Sequence, residues 1–210
     1  MGVSKREMIK RHLQGRNISD ARVLQAMWDV DRSLFVPEDQ LEHTYEDKAL
    51  PIGLGQTISQ PYIVAYMAQA LRLTPQEVVL EIGTGCGYNA AVLAHLVQHV
   101  YSIEVIEWLA ALARKNLERT GIRNVSTRLG DGFNGWPEAA PFDAIVLTAA
   151  PPVIPEPLMY QLKIGGRLLA PVGTNLQKLV LLFRASENHF EERELLPVRF
   201  VPMTGEAQKN

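Results

Sequence analysis

Val79-Leu80-Glu81-Ile82-Gly83-Thr84-Gly85-Cys86-Gly87-Tyr88 is the stretch from which the rest of the chain can be read. Apolar residues around one acid run into three glycines at alternate positions, and an Ala/Leu/Val-rich segment, Asn89 to Val97, follows. The pattern predicts a strand, a tight glycine turn and a helix. Glycine has no Cβ, so such a turn lets a ligand approach the backbone closely. The helix behind the turn directs its first N–H groups toward that ligand. A nucleotide-like cofactor is therefore expected here.

The spacing narrows the choice. A phosphate-binding P-loop carries Lys after its last glycine, where this chain has Tyr88. The dinucleotide fingerprint is G-x-G-x-x-G, whereas this turn is G-x-G-x-G with Glu81 two residues ahead of it. By charge alone, an acid in the turn suits a cationic ligand better than a pyrophosphate. The motif resembles the first motif of the class I S-adenosylmethionine-dependent methyltransferases. That resemblance implies that the acid lies near the methionine amino group and that the glycines make room for methionine and ribose.

Composition sets the outer bounds. The 210 residues suffice for one domain with a sizeable core. A net charge of −2 advertises neither a nucleic-acid nor a membrane partner. No apolar run approaches the roughly 20 residues needed to span a bilayer, and Met1 to Glu7 lacks the apolar core of a signal peptide. The single Cys86 excludes an internal disulfide and suits a reducing cytoplasm.

Around the glycine turn, Glu7 to Gln14 and Asp20 to Val30 read as short helices, with Ser19 as N-cap of the second. Asp39 to Lys48 is acid-rich and reads as a surface loop. Ala49-Leu50-Pro51-Ile52-Gly53-Leu54-Gly55-Gln56-Thr57-Ile58-Ser59-Gln60-Pro61 has loop residues yet stays apolar between them. That suits a shaped, partly buried loop. Pro61 starts a helix continuing through Tyr62 to Leu71. The hydroxyls of Thr57 and Ser59 could converge with backbone N–H groups on an anion such as a carboxylate; alternatively, Ser59 simply caps the helix.

From Glu77 onward strands and helices alternate. Strands are expected at Glu77 to Ile82, Val100 to Glu104, Val125 to Arg128, Phe142 to Leu147, Arg167 to Pro171, Leu179 to Arg184 and Val198 to Val201. Helices fall near Asn89 to Val97, Ile106 to Arg119 and Glu156 to Leu162, with Gly121 ending the second. This is the rhythm of a doubly wound, mostly parallel α/β sheet of seven strands with an N-terminal helical extension. Residues 1–210 read as one domain, with 1–75 a helical and substrate-loop region and 76–210 a Rossmann-like core.

Ligands of such sheets bind beyond the carboxyl ends of the strands. Glu104 ends the second strand about 20 residues after the glycine turn, the place of an acid that binds ribose hydroxyls. Gly130-Asp131-Gly132 follows the third strand; Asp131 can accept from an adenine amino group, although Gly-Asp-Gly is also an ordinary turn. The five histidines show no metal-ligand spacing, and Cys86 has no paired base, so no metal and no thiol nucleophile are expected. Trp28, Trp108 and Trp136 read as packing residues.

Taken together, Ala49 to Gly53 with Gly55 to Pro61, Glu81 to Tyr88, and Gly130 to Trp136 running into Ala140 to Ile145 resemble the protein-L-isoaspartate O-methyltransferase family. Supporting pieces are Arg32 with Phe35 to Pro37, Gly165 to Leu168, Pro171 to Gly173 and Val198 to Pro202. The resemblance implies methyl transfer from S-adenosylmethionine to the free α-carboxylate of L-isoaspartyl residues, with S-adenosylhomocysteine as product. The ester then closes to a succinimide. Ser59 would match the active-site serine, with Thr57 and nearby backbone on the substrate carboxylate. Glu81, Gly83, Thr84, Gly85 and Gly87 would hold the methionine end, Glu104 the ribose, and Asp131 with Gly132 the adenine. A carboxylate is already ionised at neutral pH, so no general base is needed. A monomer acting on isoaspartyl proteins and peptides in the cytoplasm is expected. The C-terminal tail, Met203 to Asn210, departs from the family pattern. Competing readings are a methyltransferase of the same fold acting on a small molecule or RNA, a non-catalytic binding module, and a nicotinamide-dependent oxidoreductase.

Overall fold

The computed structural model describes residues 2–208. It opens with α1 (Lys5–Glu7), which passes directly into a π-helical stretch, Met8–Leu13, and a 3-10 turn, Gln14–Arg16. The helix expected over Glu7 to Gln14 is thus wound in three ways. Met8 and Leu13 are both fully buried, and i→i+5 winding brings residues at that spacing onto one face. In α2 (Ala21–Asp29) the N-cap is Asp20, whose carboxylate accepts the N–H groups of Arg22 and Val23. Ser19, the expected cap, lies one residue too early, and its own N–H goes to Gln69 Oε1.

Of the acid-rich segment, Glu38–His43 forms a 3-10 helix rather than open loop. The apolar, glycine- and proline-rich stretch forms a hairpin of β1 (Leu50–Gly53) and β2 (Gln56–Ile58). Its two turn residues, Leu54 and Gly55, have φ of 51° and 71°, the left-handed pair that matches the strand twist of a tight hairpin. Pro61 then opens α3 (Pro61–Leu71) as expected.

The main sheet follows as β3 (Val78–Ile82), β4 (His99–Glu104), β5 (Val125–Leu129), β6 (Phe142–Leu147), β7 (Leu162–Val172), β8 (Gln177–Ser186) and β9 (His189–Val198). The helices α4 (Tyr88–Ala94), α5 (Glu107–Arg119) and α6 (Glu156–Tyr160) lie between them. The spatial order is β5-β4-β3-β6-β7-β8-β9. Pairings from β5 through β7 are parallel, and β8 runs antiparallel to both neighbours. The chain leaves β3 toward β4 and β5, then returns to β3's other side with β6. The switch point is therefore at the carboxyl ends of β3, β4 and β6.

Period-two alternation splits the core into two layers. Val79, Val100, Ala144, Val146 and Leu169 face one cluster, which also takes in Met8, Phe35, Leu71 and Tyr88. Leu80, Ile82, Ile103, Ile145 and Leu168 face the other, closed by Leu158, Met203 and Ala207. The N-terminal helices thus share a core with the sheet. Arg22 strengthens that joint by donating to the carbonyls of Leu73 and Leu96.

The final strand departs from expectation. It occupies His189–Val198, and only Val198 of the expected Val198 to Val201 belongs to it. Its central residues, Glu191, Glu192, Arg193 and Glu194, are all exposed, so no apolar alternation marks it. Charge on an outer strand is a common guard against edge-to-edge pairing. Residues beyond it pair elsewhere: Ala150 N–H donates to Val201 O and Met203 N–H to Ala150 O, each at 2.8 Å. Trp28 and Trp108 are surface residues, 43% and 53% exposed, rather than core packing. Trp108 still lays its ring against Gly53 of the hairpin, and Trp136 packs as expected, against Tyr101.

Candidate functional site

The glycine turn joins β3 to α4, and Gly83, Gly85 and Gly87 all have positive φ, at 96°, 56° and 90°. At Gly83 the need for glycine is also spatial, since a Cβ would collide with Thr148 Oγ1. The turn spends its amides internally. Gly83 and Thr84 donate to Ile103 O, and Gly85 donates to Glu104 Oε2 at 2.7 Å. A pyrophosphate would need those N–H groups free. The turn is shaped to admit a ligand and is not wired to hold a phosphate.

Glu104 closes β4 and is nearly buried. Its second oxygen accepts the Ile106 N–H at 3.0 Å. A carboxylate offers about four lone-pair directions. Two are used to fix its orientation, and the others remain for a vicinal diol.

Glu81 is fully buried behind the turn and does not line the cleft. Asn89 Nδ2 donates to its Oε1 at 2.8 Å, and Ser102 Oγ donates to its Oε2. Ser102 Oγ also lies 2.6 Å from Thr84 Oγ1, so the acid reaches the cleft through Ser102 to Thr84 and through Asn89. Burial pushes the Glu81 carboxyl up to about 7, against the lowering effect of the Ser102 and Asn89 hydrogen bonds. A cation bound nearby would favour its ionised form.

The cleft encloses about 800 Å³ of empty space open to solvent at its rim, within the usual size of a cofactor site. Of the residues singled out in the sequence, Thr57, Ser59, Gly83, Thr84, Gly85, Glu104 and Gly132 line it together. Gly87 does not; it is the N-cap of α4 and packs on Ala113. Nor does Asp131. Its Oδ1 accepts the Phe133 N–H and its Oδ2 the Glu206 N–H, so it is engaged with the C-terminal tail beside the cleft.

Sequence reading missed several lining residues: Asn89, Val105, Ile106, Thr148, Ala149 and the segment Val201 to Thr204. Thr148 follows β6 directly, so the strand-end rule that found Glu104 could have found it. Its hydroxyl donates to Gly83 O. The tail offered no such signal.

A second cavity, of about 900 Å³ including open solvent, lies between Ala49, Gln60, Ile63 and the segment Pro197 to Val201. Thr57, Ser59, Thr148 and Val201 line both cavities, which adjoin at these residues. Among the described residues, no group of three or more His, Cys, Asp or Glu side chains is placed to hold a metal. Burial pushes the Cys86 thiol up to about 11, which suppresses the thiolate a nucleophile would need.

Comparisons with known proteins agree with this geometry. Residues 3–208 match the family model for protein-L-isoaspartate(D-aspartate) O-methyltransferase. A protein-L-isoaspartate O-methyltransferase of a Synechococcus species is 52% identical, over 94% of this chain and 84% of its own length. A second, from Marinobacter nauticus, is 54% identical over 96% of this chain and 93% of its own. Among solved structures, a protein-L-isoaspartate O-methyltransferase superposes with a TM-score of 0.88 at 31% identity, covering 96% of this chain and 66% of that one. A structure from Plasmodium falciparum, assigned to the same activity and solved with S-adenosyl-L-homocysteine, shares the fold, with a TM-score of 0.85 at 24% identity over 96% of this chain and 99% of that one. Sheet order, glycine turn and near full-length similarity lead to one conclusion: the chain belongs to the protein-L-isoaspartate(D-aspartate) O-methyltransferase family.

Proposed function

We propose that this chain methylates the free α-carboxylate of L-isoaspartyl residues, and the free side-chain carboxylate of D-aspartyl residues, in damaged proteins and peptides. S-adenosylmethionine supplies the methyl group, already activated on a sulfonium. The observation that carries the proposal is the shared lining of Thr57, Ser59, Thr148 and Val201, where the two cavities adjoin. A methyl donor on one side and a carboxylate on the other would meet there and nowhere else along the two cavities.

The residues fit the donor. Glu104 presents an oriented carboxylate to a ribose diol. Thr84, Gly83 and Gly85 shape the methionine end, with Glu81 giving the negative charge behind them and Gly87 setting the start of α4. Gly132 floors the adenine end, and Asp131 holds the tail that closes it. On the acceptor side, Ser59 and Thr57 orient the carboxylate. A carboxyl group of pKa about 4 is ionised at neutral pH, so no residue has to remove a proton. The protein's contribution is alignment and exclusion of water at the point of attack. The resulting ester closes to a succinimide without further help.

We read residues 1–210 as one domain, because the N-terminal helices and the sheet share a core. No described helix is long and apolar enough to cross a membrane. With one buried cysteine and a net charge of −2, a cytoplasmic monomer with neither nucleic-acid nor membrane partner and no metal is the reading those features support.

The test is methyl transfer from labelled S-adenosylmethionine to matched isoaspartyl and aspartyl peptides. A base-labile ester on the isoaspartyl peptide alone is the expected result. Equal labelling of both, or labelling of neither, would overturn the proposal.

A further inference from the structure

The helix that follows Ser59 is not capped by its own sequence. Its N-cap, Gln60, makes no side-chain capping bond. Instead the cap comes from Asp47, in the loop before the hairpin. Asp47 Oδ1 accepts the Tyr62 N–H at 2.9 Å. Asp47 Oδ2 and its backbone carbonyl both accept from Gln60 Nε2, each at 2.9 Å. The side chain of Asp47 is only 8% exposed, and Arg16 NH1 pairs with its Oδ2 at 2.7 Å. The Arg16 guanidinium also stacks over the Tyr62 ring, 3.6 Å from its centroid. The helix N-terminus, which the sequence offered to a substrate carboxylate, is thus partly filled by a carboxylate of the protein itself.

This geometry points to Asp47 as a positioning residue for Ser59. It grips the residue directly after Ser59 by its side chain and the third residue after it by its backbone. Pro61, between them, contributes no N–H to an alternative arrangement. The direction from which Ser59 enters the shared lining is therefore set by Asp47. Arg16 links that setting to the N-terminal helices. A short side-chain cap of this kind normally comes from the N-cap residue itself. Supplying it from another segment lets Gln60 serve as a second point of attachment.

The inference rests on the reading of Ser59 as the residue that orients the acceptor, and a double-mutant cycle in the full chain separates the two. Asp47→Asn is expected to lower kcat/KM for an isoaspartyl peptide by about 10- to 100-fold, the usual effect of sub-ångström to ångström misplacement. The dissociation constant for S-adenosylhomocysteine should change by less than about twofold, because Asp47 does not touch that cleft. In a Ser59→Ala background, Asp47→Asn should add almost nothing, because both changes remove the same alignment. If Asp47→Asn does not fold, Gln60→Ala removes one arm of the clamp and should show the same pattern with a smaller loss. Full peptide kinetics in whichever variant folds, or equal loss of cofactor affinity, or losses that multiply in the double variant, would overturn the inference while leaving the role of Ser59 intact. A Ser59→Ala enzyme with unchanged kinetics would overturn both.

Discussion

Ser102 Oγ and Thr84 Oγ1 lie 2.6 Å apart beneath the glycine turn, and the Ser102 hydroxyl donates a hydrogen bond to Glu81 Oε2. Thr84 lines the cleft while Ser102 and Glu81 do not. The pair is thus a polar link between a buried acid and the surface a ligand touches. Removing the Ser102 hydroxyl leaves the Glu81 carboxylate and the Thr84 hydroxyl each short of a partner. Loss of a bond to a buried charged group costs about 1.5–3 kcal/mol. Ser102→Ala is therefore expected to lower unfolding stability by about that amount, and to weaken S-adenosylhomocysteine binding through displacement of Thr84, measured by calorimetry. Unchanged affinity would show that Thr84 holds its place without the link.

Glu81 makes stability depend on pH in an unusual direction. Its carboxyl titrates near 7 in the fold against 4.5 for the free side chain, chiefly through burial. Between those values the folded state keeps a proton that the unfolded chain has lost. Stability from this group is full below pH 4.5 and declines as pH rises to about 7, by on the order of 3 kcal/mol. Above 7 its contribution is level. Denaturant unfolding of Glu81→Gln across that window should lack this decline, and an identical slope in both proteins would refute the assignment. A cationic ligand favours the ionised acid, so binding at pH 6 should release protons into the buffer.

Ser59→Ala tests the acceptor side alone. Turnover of isoaspartyl peptide should fall by about 10- to 100-fold through misalignment, with cofactor affinity almost intact. Titration of S-adenosylhomocysteine into the variant measures the second quantity. A large loss there would place Ser59 on the donor side.

The tail is testable through Gly205. Its φ is 88°, and a Cβ there would strike the Asp131 carboxylate. Gly205→Ala is expected to lift the tail from Asp131 and expose Met203, which lines the cleft. A left-handed backbone strain of about 1–3 kcal/mol is the driving cost. The circular dichroism spectrum should be unchanged and the S-adenosylhomocysteine affinity reduced. If affinity holds, the tail does not close the cofactor site.

The parts of the fold that were legible were those governed by local rules. β6 shows a nearly continuous apolar run and α5 its apolar period, and the glycine turn announces both its strand and its helix. Glu104 was legible because chain spacing and strand order fix it together. What escaped depended on distant residues. Asp47 caps α3 across a hairpin, and no pattern near Gln60 discloses it. β9 escaped because its exposed, charged run hides the alternation that marks a strand. Asp131 was legible as a turn acid from its glycine neighbours, but nothing near it disclosed its second engagement. The occupant of that turn, the Glu206 N–H, comes from 75 residues away.

Thr57, Ser59, Thr148 and Val201 join two cavities that open to solvent at different residues. The donor chamber has exposed Val105 and Thr204 on its rim, and the acceptor chamber has exposed Ala49, Pro197 and Arg199. Each cavity therefore has its own opening. On the roles proposed for the two cavities, initial-rate kinetics are expected to show no compulsory order of binding, and a strictly ordered pattern would count against separate entry.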